Sequence, residues 1–171
     1  MQGWFAFYAL IGGASATLMG LLFVAVSLNP AQTLGPGHEN SGRLAEQAFQ
    51  NYQAVLLVAL LALFPEMERW LFGLVILSVT GLQAIWVLVR FYQMLSSPAG
   101  RDSRLFAIRR HLSSLIGFAI LIVAALRMGL AGEDERNWLA AGTIVLLVSS
   151  TLVSWELLAR IAKAGQARPR K

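Results

Sequence analysis

The chain has no cysteine, few charged residues and little histidine. Of its 171 residues, 14 are Lys or Arg, 9 are Asp or Glu and 2 are His, so charged side chains make up only 13%. The lack of cysteine excludes disulfides, thiolate catalysis and iron–sulfur ligation. Neither His38-Glu39 nor His111 belongs to a zinc-protease motif. We therefore expect no metal and no cofactor.

Apolar residues, in contrast, make up 57% of the sequence, against roughly 45 to 50% in soluble domains. A soluble domain of this length has too little interior to bury so much apolar surface. The composition therefore predicts an all-α integral membrane protein surrounded by the lipid bilayer. We expect residues 1–159 to form a single transmembrane domain and residues 160–171 to form a basic cytoplasmic tail.

Windows of about 20 apolar residues, the length that a helix needs to cross the hydrocarbon core, predict five transmembrane helices. The first ends at Asn29-Pro30, because proline disfavours continuation of a helix. The second has a polar first half, so a re-entrant or interfacial segment is the alternative. A full span turning at Pro65 is preferred, because a re-entrant loop would carry three charged side chains into the bilayer. The predicted spans are Trp4 to Leu28, about Leu44 to Phe64, Trp70 to Val89, Leu112 to Leu130 and Trp138 to Leu158.

The basic residues are concentrated in the connection between spans three and four and in the C-terminal tail, whereas the opposite connections are acidic. Lys and Arg in short connections remain on the cytoplasmic side, so this distribution predicts an external N-terminus and an internal C-terminus. With four spans the N-terminus would be internal. Orientation also explains the net charge of +5 without nucleic-acid binding. The residues concerned are Arg90, Arg101, Arg104, Arg109, Arg110, Arg160, Lys163, Arg168, Arg170 and Lys171.

Small residues follow one side of the first predicted helix. At about 100° per residue they fall within about 120° of its circumference, and such a face lets helices approach closely in a bilayer. Three interpretations remain open: packing within its own bundle, a seam between the subunits of a homo-oligomer, or the lining of a pore. The face consists of Ala6, Ala9, Gly12, Gly13, Ala16, Gly20 and Ser27, and the candidate site residues among these are Gly12, Gly13, Ala16, Gly20 and Ser27.

Polar stripes are predicted on the second and fifth spans. Three residues of the second span lie within about 60° on the helical wheel, with Gln47 beside them, and polar or small residues recur every seven positions on the fifth. The two stripes either meet through interhelical hydrogen bonds or line a water-filled vestibule open to the cytoplasm. Gly142 belongs to the second stripe, and the candidate vestibule residues are Glu46, Gln50, Gln53, Ser149 and Glu156.

Ionisable side chains within spans are the next candidates for function. Glu46 and Glu156 lie near the predicted inner ends, where a salt bridge is preferred to a proton relay. Arg127 lies near the outer end, where snorkelling toward Glu133 or Glu66 explains its position. The predicted partners of the two glutamates are Arg43, Arg90 and Arg160.

The run Gly20-Leu21-Leu22-Phe23-Val24-Ala25-Val26-Ser27-Leu28-Asn29 resembles the opening helix of an uncharacterised family of small bacterial multi-spanning membrane proteins. The likeness in hydropathy extends over the whole chain. Some members of that family are labelled as modulators of the membrane protease FtsH. The resemblance implies a multi-pass protein of the bacterial cytoplasmic (inner) membrane.

A shorter likeness covers the first helix only, which is similar to the pore helix of Orai calcium channels. That family needs an acidic selectivity ring, whereas this helix has no acidic residue, and the five-span topology reverses its direction. Calcium selectivity by that mechanism is therefore not implied. The residues that carry the likeness are Ser15-Ala16, Leu18, Gly20, Val24 and Ala25.

No nucleophile, base or metal cluster has a recognised catalytic spacing, so we expect no enzyme. A phosphate-binding loop and the inverted repeats of secondary transporters are also lacking. Two hypotheses remain. The first is an oligomeric permeation module for a small ion or solute. The second is a non-transporting scaffold or modulator that binds another membrane protein through the small-residue face of the first helix.

Overall fold

A computed structural model of the chain describes residues 2–35, 37–64, 68–96, 101–131 and 135–166. All regular structure in these ranges is α-helical, which confirms the all-α prediction. The elements are α1 (Gln2–Leu28), α2 (Pro30–Thr33), α3 (Glu39–Ala62), α4 (Arg69–Ser96), α5 (Arg101–Ala131) and α6 (Arg136–Gln166). The predicted turn at Pro65 and the end of the predicted tail, 167–171, lie outside the described residues.

Four of these helices are long and apolar enough to cross a membrane: Gly3–Leu28, Trp70–Gln93, His111–Ala131 and Arg136–Gly165. They correspond to the predicted spans one, three, four and five, and they are compatible with a multi-pass membrane protein. Helix α3, which contains the predicted second span, is not among them. The polar residues in its first half lower its hydropathy below that of the other long helices.

The break between α1 and α2 lies where the sequence predicts it. α1 ends at Leu28, and Pro30 occupies the first turn of α2, where its missing N–H leaves no donor unpaired. Asn29 donates from Nδ2 to the carbonyl oxygen of Ala25 at 3.0 Å, and Thr33 donates from Oγ1 to the carbonyl oxygen of Asn29 at 2.8 Å. These bonds satisfy carbonyl groups at the chain reversal and direct the backbone toward α3.

Helices α3, α4, α5 and α6 form a four-helix bundle in which each helix packs against the next and α6 closes against α3. α1 lies outside this bundle, against α3 and, to a smaller extent, α6. Short connections between consecutive long helices make them antiparallel neighbours. The residues of α3 therefore face both the bundle interior and α1.

Helix α3 is the central element although it is the least apolar of the long helices. Residues spaced along its whole length are fully buried. In lipid, apolar side chains can face outward at no cost, whereas polar side chains need partners, so a helix with polar residues is favoured at the centre. The side chains of α3 with at most 1% exposure are Leu44, Ala48, Asn51, Tyr52, Ala54, Val55, Val58 and Ala59.

Glycines allow two close helix crossings. Between α4 and α5, a Cβ on Gly73 would lie 2.5 Å from the backbone nitrogen of Gly129. Between α5 and α6, a Cβ on Gly142 would lie 2.7 Å from the Leu121 side chain and 3.3 Å from the carbonyl oxygen of Gly117. Backbones this close gain packing contacts that larger residues would prevent.

Candidate functional site

The small-residue face of α1 points away from the bundle over most of its length. Gly13, Ala16, Gly20 and Ser27 are exposed, and a Cβ added to Gly13 or Gly20 would meet no atom within 4 Å. Gly12, at the edge of the face, is buried, and its added Cβ would lie 3.0 Å from the Cβ of Ala59 on α3. Packing within the bundle therefore accounts for Gly12 alone among the candidate residues of this face.

A different face of α1 contacts the bundle, and its buried side chains are Tyr8, Ile11, Ser15 and Leu22. The Ser15 hydroxyl donates to the backbone carbonyl of Tyr52 on α3 at 2.7 Å. At the other end of this contact, the Tyr8 hydroxyl donates to the carbonyl oxygen of Arg136 at 3.2 Å, at the start of α6. Polar bonds and apolar packing thus fix which side of α1 remains exposed.

The predicted polar stripe of α3 lies along the edge of the bundle. Glu46 and Gln50 are half-buried, and Gln53 is exposed. Glu46 accepts a hydrogen bond from Arg90 of α4 at 2.7 Å, which confirms one predicted salt bridge. The guanidinium of Arg90 also lies 4.9 Å from the centroid of the Trp86 ring. This edge of α3 therefore combines an ion pair with two amides.

On α6 the predicted stripe turns from the interior to the surface along its length. Gly142 and Ser149 are buried, whereas Glu156 is half-buried and pairs with Arg160 at 2.6 Å, one helical turn away. This pairing confirms the second predicted salt bridge. α6 remains helical through Gln166, so the first residues of the predicted tail continue the helix.

The structure brings Ser149 together with residues of α3 and α5 in a buried polar core. Ser114 Oγ of α5 accepts hydrogen bonds from Gln47 Nε2 at 3.1 Å and from Asn51 Nδ2 at 2.7 Å. Ser149 Oγ lies 3.2 Å from Ser114 Oγ and 2.8 Å from Ser113 Oγ. The bonds between α3 and α5 cross the diagonal of the bundle. Ser149 of the predicted α6 stripe is therefore linked through α5 to Gln47 and Asn51, and not to the predicted α3 stripe.

The direction of one hydroxyl in the polar core follows from its neighbours. A serine oxygen has two acceptor positions and one hydrogen. With Asn51 Nδ2 toward Ser114, the amides of Gln47 and Asn51 occupy both acceptor positions of Ser114, and the Ser114 hydrogen is then available to Ser149. The core is therefore an ordered chain of neutral hydrogen-bonding groups.

Sequence reasoning did not identify Asn51, Ser113 and Ser114 as site residues, and it placed Gln47 only beside the stripe. A signal was present on α3, because Gln47 and Asn51 are one turn apart on the same side as the apolar positions Leu44 and Val58. The apolar face of α3, and not its cluster of polar residues, indicates that these two amides point into the bundle.

Tyr52 extends the polar contacts of α3 toward α6. Its side chain is 1% exposed, and its hydroxyl lies 3.4 Å from both Thr151 Oγ1 and Ser154 Oγ. The backbone of the same residue accepts the bond from Ser15. Tyr52 therefore joins α1, α3 and α6 at one level of the structure.

An ion pair connects the predicted outer ends of α5 and α6. Arg127 Nε lies 2.7 Å from Glu135 Oε1, and the Glu135 side chain is only 9% exposed. Glu135 directly precedes α6, where a carboxylate interacts favourably with the helix dipole. The observed partner of Arg127 is therefore Glu135. The predicted partners, Glu133 and Glu66, lie outside the described residues.

The described residues contain no group of three or more His, Asp or Glu side chains placed to hold a metal ion. His38 directly precedes α3, and the His111 ring lies 6.0 Å from that of Phe91. Chemically, the site consists of neutral amides and hydroxyls in the interior and three ion pairs toward the ends of the helices.

Comparison of the chain with protein-family models, curated proteins and solved structures found no match. The resemblance of the first helix to the bacterial multi-spanning family, and its shorter likeness to Orai channels, therefore stay predictions.

Proposed function

We propose that this protein is an oligomeric permeation module for a small ion or solute in the bacterial cytoplasmic membrane. The observation that carries the proposal is the exposed small-residue face of α1, formed by Gly13, Ala16, Gly20 and Ser27. In a bilayer, such a face is suited to close contact with another helix. A second copy of the chain would supply that helix.

The proposed route lies between subunits. The interior of the bundle is occupied by the polar core and apolar packing, so a single chain offers little space for a solute. The polar edge of α3, with Glu46, Gln50 and Gln53, is the part of the described surface best suited to line a route. Gln53 is exposed on the surface of the bundle, about midway along α3. At that depth contact of its amide with lipid is unfavourable, whereas contact with water or another subunit is favourable.

The proposed topology has five spans with the N-terminus outside and the C-terminus inside. α3 packs against α1 and α6, both of which are long and apolar enough to span, so α3 would cross with them. Exposed tryptophans near the ends of the predicted spans three and five support these boundaries, because Trp favours the headgroup region. They are Trp70, Trp86, Trp138 and Trp155.

An N-terminal reporter tests this topology. A reporter that is active only outside the cytoplasm is expected to give a signal at the N-terminus, and the same reporter at the C-terminus is expected to give none. A cytoplasmic signal from the N-terminus would contradict the five-span arrangement and favour four spans.

Flux into vesicles and oligomeric state test permeation. Purified protein is expected to form a closed ring, and proteoliposomes are expected to pass small ions or solutes. Ala16→Leu and Gly20→Leu should reduce both assembly and flux, because each places a bulky side chain on the α1 face. Thr17→Leu is the matched control, since Thr17 is exposed on α1 outside that face. A monomer without flux would contradict the proposal.

The second candidate is a non-transporting scaffold or modulator that binds another membrane protein through the same face. The closed, hydrogen-bonded interior of the bundle favours it, because one chain then provides a rigid helix surface without an aqueous path. It predicts a partner that copurifies from native membranes with the wild type and with Thr17→Leu but not with Ala16→Leu. Flux by the purified protein alone would contradict this alternative.

A further inference from the structure

Two buried amide oxygens in the bundle lack a hydrogen-bond donor. Asn51 Oδ1 on α3 and Gln83 Oε1 on α4 have no donor within hydrogen-bonding distance among the described residues. Asn51 is fully buried, with 0% of its surface exposed. Buried amide oxygens are nearly always paired in proteins, because an unmade bond leaves the cost of desolvation uncompensated.

The two oxygens lie at similar levels on α3 and α4, which contact each other in the bundle. Asn51 lies 11 residues before the end of α3, and Gln83 lies 14 residues after the start of α4, so both are about 17 to 21 Å from the connection between these helices. Gln83 shares a face of α4 with Ile76, Thr80 and Val87, all of which are buried. Asn51 reaches into the same interior, where its Nδ2 contacts Ser114.

We propose that Asn51 Oδ1 and Gln83 Oε1 bind one buried water molecule between them, which donates one hydrogen to each oxygen. A buried water typically needs two to four polar partners, and these two acceptors supply the first two. The site thereby joins α4 to the polar core of α3, α5 and α6. It does not depend on whether the protein is a permeation module or a scaffold.

The orientation of the Asn51 amide does not remove the need for a ligand. Turning this amide by 180° brings Oδ1 to Ser114 and leaves Nδ2 in the unpaired position. One end of the amide then still lacks a partner among the described residues. Water both donates and accepts hydrogen bonds, so it fits either orientation, whereas a cation fits only one.

The charges around the site also favour a neutral ligand. The groups of the polar core, Gln47, Asn51, Ser113, Ser114 and Ser149, carry no formal charge. The nearest carboxylate in sequence, Glu46, is paired with Arg90 at 2.7 Å. A cation transferred into this interior would lose its hydration without gaining a counter-charge, which is strongly unfavourable.

Water-edited solid-state NMR of the full chain in bilayers tests the site. Magnetisation is expected to pass from water to the Asn51 side-chain amide although this side chain is fully buried. In Gln83→Leu the transfer should fall severalfold, because the water loses one of its two acceptors. Ser78→Ala is the control, since it removes an exposed hydroxyl from another face of α4 and should leave the transfer unchanged. No transfer in the wild type, or equal transfer in Gln83→Leu, would overturn the proposal.

A double-mutant cycle gives an independent measurement. Asn51→Leu and Gln83→Leu should each raise the unfolding equilibrium constant. In the double variant the increase should be smaller than the product of the two single increases, by roughly threefold or more. The effects of Gln83→Leu and Ser78→Ala should multiply, because Ser78 is exposed on another face of α4. If Asn51→Leu does not fold, the NMR comparison on Gln83→Leu still decides.

A density map at high resolution identifies the ligand. A water is expected as a peak about 2.6 to 3.2 Å from both amide oxygens. A peak at about 2.3 to 2.5 Å with further oxygen ligands would indicate a cation and overturn the proposal. Direct contact between the two amides, with no peak between them, would overturn it as well.

Discussion

Gly73 of α4 faces Gly129 of α5 at an asymmetric crossing. A Cβ on Gly73 would lie 2.5 Å from the Gly129 nitrogen and 2.9 Å from the Ala125 carbonyl oxygen, whereas a Cβ on Gly129 would have its nearest neighbour at 3.8 Å. The two glycines therefore contact the same crossing but tolerate a methyl group very differently.

Gly73→Ala is expected to destabilise the protein by about 1 to 3 kcal/mol, because backbone atoms must move apart to admit the methyl group. Gly129→Ala is the matched control and should change the stability little, since its methyl group makes ordinary contacts. Thermal unfolding in detergent measures both. Equal destabilisation by the two variants would contradict the geometry of the crossing.

Ser114→Ala is expected to destabilise the protein by about 1 to 3 kcal/mol, because it leaves the buried amide donors of Gln47 and Asn51 without their acceptor. The neighbouring substitution Ser113→Ala serves as the control. Ser113 is half-buried and lies 2.8 Å from Ser149 Oγ at the end of the chain of hydroxyls, and it accepts no bond from the two amides. Equilibrium unfolding should rank Ser114→Ala as clearly the more destabilising variant, and the reverse order would argue against the polar core.

Ser15→Ala is expected to loosen α1 from α3, because it removes the 2.7 Å hydrogen bond to the Tyr52 carbonyl. The expected cost is small, about 0.6 kcal/mol, as for other interhelical bonds in membranes. Thr17→Ala removes a hydroxyl that bonds only within α1, to the carbonyl oxygen of Gly13. Hydrogen exchange of the α1 amides should therefore increase in Ser15→Ala more than in Thr17→Ala; equal rates would contradict a role of Ser15 in docking.

The ion pairs at the two ends of the bundle should differ in strength. Glu135→Gln is expected to destabilise the protein more than Glu46→Gln, because the Glu135 side chain is 9% exposed and that of Glu46 is 40% exposed. Solvent screens the Glu46–Arg90 pair, so its contribution should be at most about 1 kcal/mol.

Unfolding at low and high salt distinguishes the two pairs. The effect of Glu46→Gln should shrink as salt rises, whereas that of Glu135→Gln should change less, since buried pairs are screened weakly. A salt dependence that is the same for both variants would contradict the difference in burial.

The end of the first helix and two salt bridges were predictable from sequence. Asn29-Pro30 ends the first helix as expected, because proline acts on its local backbone. Glu46 pairs with Arg90, and Glu156 pairs with Arg160. The second of these pairs needs only the 3.6-residue period of a single helix, and the first needs only that consecutive helices are antiparallel.

The direction of each helix face was less predictable. On α3 the sequence favours Glu46, Gln50 and Gln53 as the polar cluster that meets another helix or a vestibule, yet Gln53 is exposed and the amide buried in the polar core is Asn51. A helical wheel shows which residues share a face. In a bilayer an apolar face can contact either lipid or the bundle interior, so the wheel does not show which face points inward. That depends on the residues that α5 and α6 place opposite.

The sequence by itself determined the all-α class, four of the spans and the ends of the first helix, because hydropathy, helix length and proline act locally. Only the tertiary structure decided that α3 is central, that Ser114 joins Gln47 and Asn51, and that Gly12 and Ser15 face the bundle whereas Gly13 and Gly20 do not. Each of these depends on pairs of residues more than 30 positions apart in the chain. Their contacts follow from mutual hydrogen bonding and close packing, which no single segment contains.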